Sequence, residues 1–140
     1  MLRLMCKGKI HMATVTEAKL HYTGSITIDA ELMKAAGILP YEIVQITNTA
    51  NAVRWKTYAI PGRSGLICLN GPPARLFAPG DRVIVLSMGW FDESDLPGLA
   101  PAVVFVDGSN RIERVERHPI FGAGGEVDWI GTQPEQVDKI

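Results

Sequence analysis

The dipeptide Gly24-Ser25 lies between two short strand-like runs, and this placement constrains the fold more than any other feature of the chain. The surrounding sequence reads Leu20-His21-Tyr22-Thr23-Gly24-Ser25-Ile26-Thr27-Ile28-Asp29. A glycine accepts strained dihedral angles and leaves its carbonyl open to a nucleophile, because it has no Cβ. If the Ser25 hydroxyl reaches the Gly24 carbonyl, a cofactor could therefore be made from the backbone itself. Gly-Ser is also an ordinary turn dipeptide, so a plain hairpin turn is the competing interpretation.

Short strands separated by turn residues dominate the rest of the pattern. Residues 2–16 and 42–60 are rich in Ile, Val, Thr and aromatic residues with partial alternation, which predicts strands. Further strands are predicted at 66–69, 82–88, 102–106 and 111–115. One short helix is predicted over 30–36, with Asp29 as its cap and Gly37 as its stop. Many short strands with turn signals indicate a mainly β chain that forms a small barrel.

Composition limits the class of protein. A length of 140 residues suits one domain, and a formal net charge of −1 argues against a nucleic-acid partner, which would require a basic surface. Cys6 and Cys68 have neither metal-ligand spacing nor clustered histidines, so we expect free thiols and no metal site. Arg3, Lys7 and Lys9 interrupt the apolar N-terminus, so we expect no export signal, no membrane partner and a cytoplasmic location.

Five blocks of residues, taken in order, carry a family resemblance. They are Gly8-Lys9-Ile10-His11, the segment 22–29, Ala35-Ala36-Gly37-Ile38-Leu39, Arg54 with Thr57-Tyr58-Ala59-Ile60, and Leu69-Asn70-Gly71 before Gly80-Asp81. Over about residues 1–115 the chain resembles the aspartate 1-decarboxylase family of pyruvoyl-dependent enzymes, which make β-alanine. The resemblance implies a small double-psi β-barrel with short helices, assembled as a homotetramer. We expect residues 1–116 to form this domain and residues 117–140, which show no sustained period, to form a poorly ordered tail.

The resemblance also implies a covalent cofactor made from the chain itself. Ser25 Oγ attacks the Gly24 carbonyl, the acyl group moves from nitrogen to oxygen, and elimination breaks the chain between residues 24 and 25. The dehydroalanine left at position 25 hydrolyses, releases ammonia and becomes a pyruvoyl group. Its carbonyl would accept the electrons left on the substrate when CO2 departs. The expected reaction converts L-aspartate to β-alanine for pantothenate and coenzyme A synthesis.

Candidate substrate-binding residues follow from the same resemblance. Arg54 suits a carboxylate through two parallel hydrogen bonds, and Lys9 would supply a second charge, although both residue types are by default solvated surface charges. Tyr58 lies on the strand face of Arg54 and is expected to protonate the substrate Cα. Thr57 should point the other way, yet the family's threonine hydrogen-bonds the Gly24 carbonyl oxygen during cleavage. Either this strand is irregular, or its two faces serve the sites of two subunits.

The remaining candidates lie around the cleavage point and in one loop. His11 and Tyr22 are expected to line the site, although a half-buried histidine or a packed tyrosine is commoner than a functional one. Asn70 and Gly71 open a loop expected to serve cleavage and contact the substrate. The family usually continues with two alanines, whereas this chain has Pro72 and Pro73, which cannot donate a backbone hydrogen bond.

Alternatives from other classes stay open at this point. One is an unprocessed β-barrel module that binds or regulates; another is a decarboxylase of a different acidic amino acid, such as glutamate, because one methylene gives only about 1–3 kcal/mol of discrimination. A β-rich DNA-binding dimer is disfavoured by the balanced charge. The sequence also leaves open whether cleavage is spontaneous or requires a maturation factor.

Overall fold

The structure is a computed structural model, and it describes residues 1–129. The described chain is mainly β, with one α-helix and two 3-10 helices. The strands are β1 (Leu2–Thr14), β2 (Glu17–Lys19), β3 (Ser25–Asp29), β4 (Ile43–Asn48), β5 (Arg54–Gly62), β6 (Ile67–Asn70), β7 (Arg82–Asp92), β8 (Ala102–Val106) and β9 (Ile112–Arg117). The helix α1 is Ala30–Ala36, and the 3-10 helices are Pro72–Arg75 and Glu93–Gly98.

The sheet closes on itself because β2 continues β1 after only two residues. The strand order is β2-β6-β3-β5-β4-β7-β1-β8-β9, so β1 and β2 lie near its two ends. The backbone between them hydrogen-bonds to both sides: Val15 N–H donates to the Asp81 carbonyl (2.9 Å) and Thr16 N–H to the Ile67 carbonyl (2.8 Å). The prediction of a mainly β fold, a small barrel with short helices, is confirmed.

Alternating apolar residues fill the interior of the barrel. Successive side chains of a strand point to opposite faces, so residues two apart share the core. The pairs Ile26 and Ile28, Val44 and Ile46, and Val83 and Val85 are all at most 1% exposed. The strand faces that carry these six buried residues line the inside of the barrel. The residues that alternate with them along each strand lie on its outer face.

Helix α1 forms where the sequence predicts it. The Asp29 side chain accepts a hydrogen bond from Glu31 N–H (2.8 Å), which caps the first turn. Gly37 ends the helix in the left-handed conformation, at φ 72°, and its N–H donates to the Lys34 carbonyl. Leu32, Met33 and Ala36 are buried, so one face of the helix packs on the core.

The strand predictions are confirmed in outline, with adjusted limits. Segment 42–60 contains two strands, β4 and β5, and the strand predicted at 82–88 extends to Asp92. Neither 3-10 helix was predicted. Pro72 and Pro73 begin the first of them, because proline has a helix-compatible φ and needs no hydrogen-bond acceptor at a helix start.

The segment after β9 folds back along the barrel. His118 N–H donates to the Pro101 carbonyl (3.0 Å), and Gly122 N–H donates to the Glu126 carbonyl (2.8 Å). Part of the predicted tail, residues 130–140, lies outside the described residues, so the division at residue 116 stays a prediction. Among residues 1–129, no helix has both the length and the apolar character needed to cross a membrane.

Candidate active site

Ser25 is the first residue of β3 and lies opposite Asn70, the last residue of β6. Its side chain is 0% exposed. Cross-strand partners share a face of the sheet, so Ser25 and Asn70 lie on one face, together with the next pair, Thr27 and Cys68. The intervening residue Ile26 faces the core. The polar face at the start of β3 is therefore the outer face of the barrel.

Four side chains on this face form a hydrogen-bonded group in which Ser25, Cys68 and Asn70 are buried and Thr27 is partly buried. Asn70 Nδ2 donates to Ser25 Oγ and to Thr27 Oγ1, both at 2.9 Å. Cys68 Sγ donates to Asn70 Oδ1 at 3.3 Å. A hydrogen bond donated to a serine oxygen stabilises negative charge that develops on it, so Asn70 is suited to support Ser25 as a nucleophile.

Gly71 presses against the peptide that precedes Ser25. Its backbone, at φ 80° and ψ −146°, is in a region that only glycine occupies readily. A Cβ at Gly71 would lie 2.9 Å from Gly24 Cα and 3.1 Å from the Tyr22 carbonyl oxygen. The loop after β6 thus fits over Gly24 only because residue 71 lacks a side chain. Pro72 continues this loop, and its Cδ lies 4.0 Å from where a Gly24 Cβ would stand.

Arg54 and Tyr58 share the outer face with Ser25. Thr27 pairs with Ile60 in the parallel β3–β5 ladder, and Tyr58 is two residues before Ile60. The ladder between β4 and β5 has no register shift from Arg54 to Tyr58, so the strand is regular there. Arg54 is exposed, and the Tyr58 ring stacks on Tyr41 with centroids 5.6 Å apart.

Thr57 faces the inside of the barrel. It pairs with the buried Val44, whereas Tyr58 pairs with the exposed Ile43. Ile26, where the β3–β5 ladder begins, pairs with Ala59, and Thr57 lies two residues before Ala59 on β5. Of the two explanations that the sequence allowed for Thr57, an irregular strand is therefore wrong, because the strand is regular and Thr57 alternates with its neighbours.

Lys9 and His11 lie on a different part of the barrel. Lys9 pairs with Leu86 on β7, Leu86 with Gln45 on β4, and Gln45 with Lys56 on β5. Three strand spacings, about 14 Å along the sheet, therefore separate Lys9 from β5. Within residues 1–129, β1 has no ladder with β3, β5 or β6. A single chain does not bring Lys9 and His11 to Ser25.

His11 is held in a cationic, partly buried environment. It shares the β1–β8 ladder with Lys9 and packs edge-on against Phe105, with centroids 5.4 Å apart. Its Nδ1 is buried and has no hydrogen-bond partner within residues 1–129. Burial, and then the charges of Lys9, Arg82 and Arg114, lower the pKa of His11 from its ordinary 6.5. His11 is therefore neutral at neutral pH.

This lowered pKa predicts acid sensitivity. The unfolded chain binds a proton at His11 more readily than the folded chain, so stability is lost as pH falls from 6.5 through the folded pKa. We expect the melting temperature of a His11→Gln variant to fall less between pH 7.5 and pH 5 (roughly the histidine range) than that of the natural chain. His21→Gln, at an exposed position, is the control and should keep the natural slope. Equal slopes in the natural chain and His11→Gln would contradict this account.

Comparison with known proteins decides the family. The family model described as aspartate decarboxylase matches residues 1–113 of the 140. The chain belongs to the aspartate decarboxylase family. It is 52% identical over 127 residues to the aspartate 1-decarboxylase of Pelotomaculum thermopropionicum, which covers 89% of this chain and 96% of that protein. It is 50% identical over 139 residues to the aspartate 1-decarboxylase of Moorella thermoacetica, covering 98% of each chain.

The relatives cover the barrel and the site together. The aspartate 1-decarboxylase of Leptospira biflexa is 54% identical over 114 residues, which is 79% of this chain and 97% of that protein. The resemblance derived from the five sequence blocks is thus confirmed. In this aspartate decarboxylase family member, the candidate site brings Gly24, Ser25, Asn70, Gly71 and Pro72 into direct proximity.

Three residues of the site were not predicted from the sequence. Thr27 lies two residues after Ser25 on β3, and Cys68 lies two residues before Asn70 on β6, so each shares a strand face with a predicted residue. The sequence did not reveal that these two strands pair with each other. Tyr41, which stacks on Tyr58, carried no signal in the sequence pattern. Tyr22 was expected to line the site; its side chain is 58% exposed and lies near Lys19, whose Nζ is 5.9 Å from the ring centroid.

Proposed function

We propose that the chain cleaves its own backbone between Gly24 and Ser25 and that residue 25, as a pyruvoyl group, serves the conversion of L-aspartate to β-alanine and CO2. The observation that carries this proposal is the buried Ser25 hydroxyl, hydrogen-bonded by Asn70 and directly preceded by Gly24, against which the Gly71 backbone packs. Relatives that are 50–54% identical are named aspartate 1-decarboxylase. The product would feed pantothenate and coenzyme A synthesis in the cytoplasm.

The residues around position 25 fit a pyruvoyl group. Such a group is flat and smaller than the serine and peptide that it replaces, and it needs hydrogen-bond donors nearby. One Asn70 N–H points at residue 25 from a buried position while the other is held by Thr27, and a side chain at residue 71 would fill the space over Gly24. Of the described residues, no group of three or more His, Cys, Asp or Glu is arranged to hold a metal ion.

Cleavage begins with a transfer between two atoms of neighbouring residues. Ser25 Oγ forms a bond to the Gly24 carbonyl carbon, the Ser25 nitrogen leaves that carbon and takes up a proton, and an ester results. Loss of the Ser25 Cα proton then expels the Gly24 carboxylate, which carries Oγ away. The remaining dehydroalanine takes up water and releases ammonia. Asn70 supports charge on Oγ, and Thr57, two residues before the β5 partner of Ile26, has the role of supporting the Gly24 carbonyl oxygen.

Substrate binding uses the outer face of β5. The group at residue 25 supplies an electron-accepting carbonyl when it is formed. Arg54 is exposed on the same face as Ser25 and orients a substrate carboxylate through its two-pronged guanidinium. Tyr58 delivers a proton to the substrate Cα from its hydroxyl, and its stacking on Tyr41 fixes the ring. Gly71, Pro72 and Pro73 form the neighbouring wall.

The two prolines remove two backbone donors from that wall. Pro73 is buried and its carbonyl accepts hydrogen bonds from Leu76 N–H and Phe77 N–H, so the turn is rigid. Neither Pro72 nor Pro73 has an N–H to offer a carboxylate. We infer that Asn70 and Gly71 carry more of the polar contact with the substrate here than in relatives with two alanines.

Lys9, His11 and Tyr22 are assigned to a site shared between subunits. β1 lies four strand spacings, about 19 Å along the sheet, from β3, so the charge of Lys9 reaches a substrate at Ser25 only from a second copy. The exposed Tyr22 beside Gly24 suits contact with that copy. A homotetramer is the proposed assembly, with His11 beside Lys9 as a lining residue.

The proposal is tested by mass and product together. The purified protein is measured under denaturing conditions, and a cut chain should give fragments 1–24 and 25–140, the latter with a pyruvoyl end. The same preparation is offered L-aspartate and L-glutamate, and β-alanine should form from aspartate in preference. An intact chain that makes no product would favour an unprocessed binding module, and faster turnover of glutamate would reassign the substrate. Cleavage of a chain refolded alone would show that no maturation factor is required.

Loss of the Tyr58 hydroxyl is expected to separate cleavage from turnover. A Tyr58→Phe variant keeps the ring that stacks on Tyr41, so the fold and the cut are preserved. Because the proton donor is missing, kcat should fall about 100-fold. The matched control is Tyr41→Phe, which should keep kcat within about two-fold, since its ring remains. A Tyr58→Phe enzyme with natural kcat would assign the proton to another group.

A further inference from the structure

Asn70 makes three side-chain hydrogen bonds, and together they fix the orientation of its amide. Asn70 is 1% exposed. Its two Nδ2–H bonds go to Ser25 Oγ and Thr27 Oγ1, and its Oδ1 accepts from Cys68 Sγ. An asparagine amide offers two donors and one acceptor oxygen, so both donors are occupied and the oxygen is bonded. The direction of the amide follows from what Cys68 and Thr27 offer it.

Cys68 sets the oxygen end of the amide. Burial, and then the nearby charge of Glu17, raise the pKa of the Cys68 thiol, so the thiol keeps its proton and remains a donor. Glu17 lies opposite Cys68 in the β2–β6 ladder. With a donor on this side, the amide turns its oxygen toward Cys68 and its nitrogen toward Ser25.

Thr27 holds the nitrogen end of the amide in the direction that Cys68 selects. Its Cγ2 methyl lies against Gly62, where an added Cβ would stand only 2.6 Å away. Packing therefore fixes the χ1 of a side chain that is already stiff through β-branching. The hydroxyl is left pointing across the ladder to Asn70, where it takes one of the two Nδ2–H bonds.

Maturation changes only one of these three bonds. In the proposed cleavage, Oγ leaves residue 25 with the Gly24 carboxylate, so one Nδ2–H loses its acceptor. The bonds to Thr27 and Cys68 do not involve the reacting atoms and persist. Leaving a buried N–H without an acceptor costs free energy, because the group has lost its hydrogen bonds to water. A substrate acceptor placed beside this N–H would therefore bind to it. The free N–H is then directed at residue 25, where the substrate binds.

We propose, on the basis of the proposed function, that Cys68 and Thr27 are positioning residues for substrate binding. They hold the Asn70 amide so that the N–H released when Ser25 is converted points at a carboxylate of the substrate. Neither residue touches the reacting atoms, and both act through Asn70. The arrangement uses one amide twice, first on the nucleophile and then on the substrate.

The test removes each partner of Asn70 and then restores it. Cys68→Ala lacks the donor, and Cys68→Ser restores a donor of similar shape; Thr27→Val lacks the acceptor, and Thr27→Ser restores it. KM for aspartate, per cut chain, should rise about five-fold in Cys68→Ala and in Thr27→Val, the factor expected for one hydrogen bond. The kcat should stay within about two-fold. The Ser variants should return KM to within about two-fold of the natural value.

A second measurement is independent of turnover. Succinate has the carboxylates of aspartate without its amino group, so we expect it to bind the cut protein and raise its melting temperature. This rise should shrink in Cys68→Ala and return in Cys68→Ser. Cys6→Ala is the control, because Cys6 is a partly buried thiol whose Sγ lies 3.8 Å from the Gly8 carbonyl oxygen, away from Asn70.

The outcomes separate this inference from the function on which it rests. A natural chain that is cut and active, with variants whose KM and succinate response are unchanged, overturns the inference alone. The same holds if Cys68→Ser is as impaired as Cys68→Ala, because the loss would then reflect packing. If Cys68→Ala does not fold, the Thr27→Val and Thr27→Ser pair decides. A natural chain that stays uncut overturns both the inference and the proposed function.

Discussion

A Ser25→Ala variant is expected to remain one chain of 140 residues and to make no β-alanine. The methyl side chain lacks the oxygen that must bond to the Gly24 carbonyl carbon, so neither the ester nor the later cut can form. Denaturing mass measurement reports the cut, and product analysis reports activity. Both signals should fall to background, which makes this the largest effect that a single substitution can have on the protein.

The control for this variant is another fully buried serine. Ser87 is 0% exposed, like Ser25, but lies on β7, three strands away from β3, and its hydroxyl donates to Glu42 Oε2. Ser87→Ala loses a partly buried hydrogen bond to a carboxylate, worth about 2 kcal/mol, but keeps the nucleophile. It should be cut and active. A Ser25→Ala preparation with two fragments, or with activity near the natural level, would remove the basis of the proposed mechanism.

A Gly71→Ala variant is expected to lose both stability and cleavage. Its Cβ would meet Gly24 Cα at 2.9 Å and the Tyr22 carbonyl oxygen at 3.1 Å, in a backbone conformation that alanine rarely adopts. The loop after β6 must then move away from Gly24, and Asn70 moves with it. We expect a loss of about 3 kcal/mol in the free energy of unfolding. Cut chains should become a minor fraction.

Gly37→Ala separates backbone strain from the collision. Gly37 also has a positive φ, 72°, but a Cβ there would have no atom within 4 Å. Its cost is the left-handed conformation alone, about 1 kcal/mol, and cleavage should be unaffected. Stability is measured by denaturant unfolding in a Ser25→Ala background, so that every variant is a single chain. Equal cleavage in Gly71→Ala and the natural protein would show that the loop does not confine Gly24.

Local signals predicted local structure well. Helix α1 was predicted with both of its ends, because Asp29 and Gly37 lie within the few residues that a cap requires. The alternation of Arg54, Thr57 and Tyr58 was predicted for the same reason, since a strand face depends only on spacing. The strand ends were less well predicted, because they depend on which neighbour each strand pairs with.

Long-range pairing was beyond the sequence. Ser25 and Asn70 are 45 residues apart, and their contact depends on the antiparallel register of β3 and β6. The roles of Thr27 and Cys68 follow from that register and could not be predicted without it. Lys9 shows the converse: spacing placed it with His11 on one face, but the closed sheet separates both from Ser25. The family resemblance assigned Lys9, His11 and Ser25 to one site, whereas the sheet order of one chain places β1 away from β3.

The junction of β1 and β2 gives the cut a mechanical consequence. Fragment 1–24 contains both strands, so it is hydrogen-bonded to β7 and β8 through one segment and to β6 through the next. Ile10, Ala13 and Val15 of this fragment are at most 1% exposed. After a cut at this position, fragment 1–24 would stay bound in the sheet of fragment 25–140. Its release would require the ladders of β1 with β7 and β8, and of β2 with β6, to break together. A chain cut as proposed between residues 24 and 25 would therefore still behave as a single folded body.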